Sequence, residues 1–217
     1  MRARLLVVVV PVWWCLATPS LAAGPAVAAA ESEVTLGTGF ANTGSGLMPS
    51  LIGGISLLHP VAGGVDGYAG LSYRFSGGTL AYRGHNAFNQ VEARLGAGFA
   101  LRGSAEIIPY AIIGYQAWNR TAFYRATMAG AGAKFDVPVS PILVLSLGTE
   151  FLALAGGNAA TGQAVTPEEH VALGLDGAAY GNLHVFAQAW WTRFSAAEPL
   201  TTEIQSGVNL GIGYSFY

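Results

Sequence analysis

The segment richest in chemically capable groups is Pro167-Glu168-Glu169-His170 (PEEH), where two carboxylates stand beside an imidazole. In an extended chain Glu168 and His170 share one face and Glu169 takes the other. General-base catalysis needs a histidine, a carboxylate that orients it and a nucleophile within reach. The chain has no serine in a GxSxG elbow and no His/Asp/Glu spacing of the kind that marks metal sites. PEEH is therefore read as a solvated loop that ends on a strand-starting histidine. The expectation is no catalytic residue, no metal and no other cofactor.

Other ionisable residues sit in a different pattern, one that places them on a shared surface. In QVEARLGAGFAL the residues Val91, Ala93, Leu95, Ala97, Phe99 and Leu101 occupy one phase, while Gln90, Glu92, Arg94, Gly96, Gly98 and Ala100 occupy the other. This is the period of two that defines a strand. YAGLSYRF puts Arg74 in the small, polar phase, LVLSLGTEF puts Glu150 there, and HVALGLDG puts His170 and Asp176 there. LHVFAQAWW adds His184 and Gln188, with Trp190 in the same phase, and PYAIIGYQAW and ATMAGAGAKF are read with Gln116 and Lys134 on that side. Arg74, Glu92, Arg94, Lys134, Glu150 and Asp176 thus form a candidate interior network of three cations and three anions. Buried charges persist when paired and hydrogen-bonded, so the network reads as a salt-bridged plug, with a narrow solute path as its functional alternative.

Composition decides what the other phase faces. The 217 residues are 52% hydrophobic and only 10% charged, with 30 glycines. Average domains carry about a quarter charged residues. After residue 30 no apolar run approaches the ~20 residues of a spanning helix, and the glycines disfavour helices. Hydrophobic, glycine-rich and alternating together predict an all-β fold: a closed, antiparallel, up-and-down transmembrane β-barrel.

The amino terminus suits that destination. Arg2 and Arg4 precede the apolar LLVVVVPVWWCL and the small-residue ATPSLAAGPAVAAAES, the layout of a secretory signal peptide over residues 1–22, with cleavage as late as Ala30 as the alternative. An uncleaved anchor helix is disfavoured by Pro11 and by the short apolar core. Cys15, the only cysteine, falls inside this segment. Loss of Arg2 and Arg4 from the 10 basic residues leaves 8 against 12 acidic ones, a formal charge of −4. Nucleic acid is excluded as a partner, because phosphate binding needs a basic patch.

Residues 31–217 then divide into about ten strands, or eight if the weak first pair, VTLGTGFA and SLIGGISLL, stays out of the wall. Turns such as HPVAGGVD, RGSAE, VPVSP and AAYGN alternate with mostly longer connections such as SGGTLAYRGHNAFN and AGGNAATGQAVTPEEH. Prolines 60, 138, 141, 167 and 199 are assigned to connections, where they interrupt no ladder bond. Trp118, Tyr124, Trp190 and Trp191 gather near the loop-side strand ends and are read as an aromatic girdle at the lipid interface.

The last strand, GVNLGIGYSFY, carries no charge on either face. With the signal segment and the alternating strands, this terminal GIGYSFY resembles the small outer-membrane β-barrels of Gram-negative bacteria, the OmpA-like, OmpX-like and opacity-protein group. The resemblance covers the mature chain and is one of architecture. It implies that Val208, Leu210, Ile212, Tyr214 and Phe216 form the signal read by the barrel-assembly machinery, although Tyr217 is out of phase with them. It also implies a monomer whose surroundings are outer-membrane lipid and lipopolysaccharide. A structural or surface-interaction role follows as the leading expectation, then a narrow pore for small solutes, then a lipid A-modifying enzyme or protease.

Overall fold

In the computed structural model the described residues are 32–42, 46–62, 65–77, 87–101, 104–119, 123–155, 167–196 and 201–216. The signal segment, Cys15, Pro199 and Tyr217 lie outside them. Ten strands follow one another: β1 (Ser32–Asn42), β2 (Leu47–Ala62), β3 (Val65–Gly77), β4 (Ala87–Ala100), β5 (Glu106–Asn119), β6 (Phe123–Ser140), β7 (Leu143–Ala155), β8 (Pro167–Tyr180), β9 (Leu183–Ala196) and β10 (Thr201–Phe216). Each pairs antiparallel with its neighbours, and β1 pairs with β10, so the sheet closes. The glycine-rich first pair belongs to the wall, which rules out the eight-stranded alternative. β1 meets β10 from Ser32 opposite Phe216 to Asn42 opposite Ser206.

Alternation sorts the side chains as expected. Leu36, Leu71, Leu95, Ile113, Phe151, Leu173, Val185 and Leu210, from eight different strands, are all exposed on the outer wall. Such a continuous apolar belt is not a surface that water tolerates. The outward-facing charged side chains among the described residues, Arg125, Glu169 and Arg193, stand within a few residues of the loop ends, and Glu169 pairs with Arg193 at 3.6 Å. The wall is that of a transmembrane barrel.

The strands run further than their apolar cores, and this corrects two expectations. Pro60, Pro138 and Pro167 lie within β2, β6 and β8 instead of in connections. The register shifts between Pro60 and Ala62 and between Pro138 and Ser140. A bulge beside the turn absorbs the hydrogen bond that proline cannot donate. Pro109, inside β5, leaves the β4–β5 ladder unpaired between Gly96–Tyr110 and Phe99–Ile107. Likewise PEEH belongs to β8: Glu168 and His170 are buried in the lumen, so the solvated-loop reading was wrong. Its long polar run-in, AGGNAATGQAVT, concealed the point at which the strand begins.

Short hairpins close one end. Gly181 and Asn182 form a two-residue turn between β8 and β9, and the φ of +55° at Gly181 is one that glycine adopts without a Cβ penalty. Asn182 also clamps the last strand: its carbonyl accepts from the Ser215 N–H, and its Nδ2 donates to the Ser215 carbonyl, both at 2.9 Å.

Leu210, near the middle of β10, faces outward with 59% exposure, whereas Leu47 opens β2 at the loop end with 71%. Leu210→Arg is expected to cost about 2–4 kcal/mol and Leu47→Arg about 0–1 kcal/mol. Denaturant unfolding of the barrel in lipid vesicles measures both. Equal costs would mean that the belt is not at bilayer depth.

Candidate functional site

The lumen collects nearly every interior polar group, and its contents follow from the strand phases. All six charged residues singled out by their phase, Arg74, Glu92, Arg94, Lys134, Glu150 and Asp176, line the central cavity. They do not form one network. Arg94 on β4 makes ion pairs to Glu92 on its own strand and to Glu150 on β7, the latter at 2.9 Å. Tyr110 donates its hydroxyl to Glu150 at 3.0 Å and lies beneath the guanidinium, 5.6 Å from ring centre to Arg94 Cζ. Gln90 donates to Glu92 at 2.8 Å and Ser72 at 3.3 Å. This Glu–Arg–Glu bridge pairs the buried guanidinium with two buried carboxylates, as buried charges require.

The other three take different partners. Arg74 stacks over Trp190 at 5.0 Å and donates to Thr192 Oγ1 at 3.2 Å, close to His170 Nδ1 at 3.4 Å. The Thr192 hydroxyl lies 2.7 Å from that same Nδ1. Guanidinium can only donate, so the hydroxyl accepts from Arg74, and the direction of its bond to His170 follows the imidazole tautomer. Lys134 pairs with Asp136 at 2.9 Å. Asp176 meets the His184 ring.

Five lumen acids among the described residues were missed: Glu33, Asp66, Glu106, Asp136 and Glu168. Asp136 shares the phase of Lys134 two residues before it, a signal that the reading of VPVSP as a turn obscured. Glu33 sits in the glycine-rich first strand, whose faces the pattern does not resolve. Glu168 is wholly buried, and neither carboxylate oxygen has a hydrogen-bond partner among the described residues.

The small lumen face of β10 has a definite use. His184, Phe186 and Trp190 on β9 lie opposite Gly213, Gly211 and Gly207 of β10. A Cβ at those glycines would come within 2.2, 2.4 and 2.6 Å of the respective rings. Each ring therefore occupies the space where a side chain of the neighbouring strand would stand. This places Trp190 in the lumen at 5% exposure and removes it from the expected aromatic girdle.

Apolar side chains fill the opposite wall: Ile108, Tyr110, Ile112, Ala126, Met128 and Leu152 from β5, β6 and β7 form a buried cluster, with Leu58 and Tyr68 against it. Between the two walls lies a cavity of about 330 Å³. It runs from Gly181, Asn182 and Ser215 at the turn end to the layer of Arg74, His170 and Trp190. Beyond that layer, towards the loops, Ser50, Ser76, Phe88, Gln116, Glu168, Thr192 and Gln205 are each no more than 2% exposed. The lumen is a cup, open at the turn end and packed at the loop end.

The sequence matches no protein-family model and no curated protein. Among solved structures the chain is similar to neisserial surface protein A, with 11% identity and a TM-score of 0.38 over 85% of this chain and 96% of that one. It is also similar to the β domain of the Bordetella autotransporter BrkA, with 13% identity and a TM-score of 0.42 over 86% of this chain and 100% of that one. A third is Ail, the attachment invasion locus protein of Yersinia pestis, with 13% identity and a TM-score of 0.35 over 86% and 100%. The barrel itself rests on the strand pairing described above.

Arg94→Met strands two buried carboxylates and is expected to destabilise the barrel by about 3–5 kcal/mol. Adding Glu92→Gln and Glu150→Gln removes both charges and should restore most of that loss. Denaturant unfolding of the single and triple variants decides it, and a triple variant no more stable than the single one would mean that the bridge does not act as a unit.

Proposed function

We propose that the protein is an integral outer-membrane barrel with a structural or surface-interaction role, its lumen stopped on the loop side. The observation that carries this reading is the packed layer between the cavity and the loops, where seven inward-facing residues are at most 2% exposed. An ion entering from the turn end meets Trp190 stacked on Arg74 and then the fully buried Gln116, Thr192 and Gln205. The connections between β1 and β2, β3 and β4, β5 and β6, β7 and β8, and β9 and β10 all emerge at the stopped end, as in a barrel that presents loops to the outside.

A narrow solute pore is the second reading, favoured by the cavity of about 330 Å³ that occupies the other part of the lumen. Catalysis has less support. Among the described residues of the loop-side lumen, the histidine–hydroxyl pair of His170 with Thr192 has its hydroxyl wholly buried and bonded to Arg74. The assembly partner in this reading is the barrel-assembly machinery, reading the outward face of β10.

Two measurements test these assignments. Purified refolded protein in a planar lipid bilayer should give no stable unitary current steps. Regular steps that change ion selectivity in Glu92→Gln would establish the pore instead. In a membrane-assembly assay Phe216→Ala should impair insertion more than deletion of Tyr217, and the reverse order would reject Val208, Leu210, Ile212, Tyr214 and Phe216 as the recognised face.

A further inference from the structure

Three side chains from three strands converge at the open mouth of the cup. Glu33 on β1, Asp176 on β8 and His184 on β9 each bring one ligand atom within 4.8 Å of the others. The backbone explains why strands this far apart in sequence meet. Asp176 and His184 flank the Gly181–Asn182 turn, and β10 lies between β9 and β1. A Cβ on Gly213 of β10 would come 2.2 Å from the imidazole. Glycine there lets His184 reach across β10 towards Glu33.

The arrangement has a chemical direction. His184 Nδ1 lies 2.8 and 2.7 Å from the two oxygens of Asp176. An ionised carboxylate only accepts, so Nδ1 carries a proton, and the neutral tautomer with that proton has its electron pair at Nε2. Nε2 in turn faces Glu33 Oε2 at 3.6 Å. That separation is too long for a hydrogen bond. It is the span of a bridged pair: two metal–ligand bonds of about 2.0–2.1 Å cover it at an angle of roughly 120°. A carboxylate holding the far nitrogen of a metal-binding histidine is the usual supporting contact in such sites.

We propose that Glu33 and His184 bind a divalent first-row transition metal, with Asp176 orienting the imidazole and solvent in the cavity completing the coordination. The surroundings favour a cation. Glu33, Asp66, Glu106, Asp136 and Asp176 stand at this end of the lumen, with Lys134 the one lysine or arginine among the described residues placed against them, already paired with Asp136. The imidazole selects zinc-like ions over magnesium or calcium, which prefer all-oxygen ligands.

The test is calorimetric titration of the tag-free, refolded barrel in detergent with Zn²⁺, with and without excess Mg²⁺. We expect one Zn²⁺ per chain, no competition by Mg²⁺, and affinity lowered by about tenfold or more in both Glu33→Gln and His184→Ala. Heat-modifiable gel migration verifies that each variant is folded. No saturable uptake by the wild type, or uptake undiminished in either folded variant, overturns the site and leaves His184 as an imidazolium held between two carboxylates. Because the readout is metal uptake, it is separate from whether the lumen conducts.

Discussion

Every backbone N–H and C=O at bilayer depth must find its partner inside the protein, since lipid offers none. A strand wall meets that demand only by closing, and the β1–β10 seam is where this chain does so. Closure then dictates the rest. Each strand has one face for lipid and one for the lumen, and all polar side chains at that depth have a single place to go. The seam itself is tight: a Cβ on Gly39 would lie 1.9 Å from the Val208 carbonyl oxygen, and one on Gly211 would lie 2.4 Å from that of Leu36. The residues that make β1 and β10 look featureless are those that allow the two ends of the sheet to meet.

A closed wall also creates an interior that must be filled. Two kinds of filling divide it. Around β5, β6 and β7, aliphatic side chains pack as in a soluble core, although they lie inside a membrane barrel. Along β9 and β10, aromatic rings lie across glycines, which brings each ring against the backbone and covers the bare strand, a form of aromatic rescue. Charged groups occupy the space between these walls. The filling is uneven along the axis, dense at the loop end and open at the turn end, and the cavity is what remains.

How much of this the sequence discloses depends on contrast between phases. QVEARLGAGFAL is readable because a charge cannot face lipid, so Arg94 alone orients β4. In PYAIIGYQAW both phases are apolar, and only Gln116, which shares their phase, separates the inward Tyr110 and Ile112 from the outward Ile113 and Tyr115. Strand ends are obscure for another reason. Prolines near the strand ends read as turn residues, while the strands continue through Pro60, Pro138 and Pro167. Partnerships are the least legible level. Glu33 and His184 lie 151 positions apart and meet only because the barrel closes and Gly213 has no side chain.

The two ends of the lumen handle charge by different physics. Two unit charges 4 Å apart interact by about 1 kcal/mol in water and about 4 kcal/mol at the effective dielectric of a protein surface. In the bridge the carboxylates are almost fully buried, Glu92 and Glu150 side chains being 2% and 4% exposed, and a guanidinium lies between them. At the mouth, Glu33 and Asp176 keep 27% and 26% exposure, so solvent shares their charge and opposite partners need not be built in. An excess of negative charge is sustainable only where water reaches it. The same access that makes the acidic mouth stable gives a cation its route to His184.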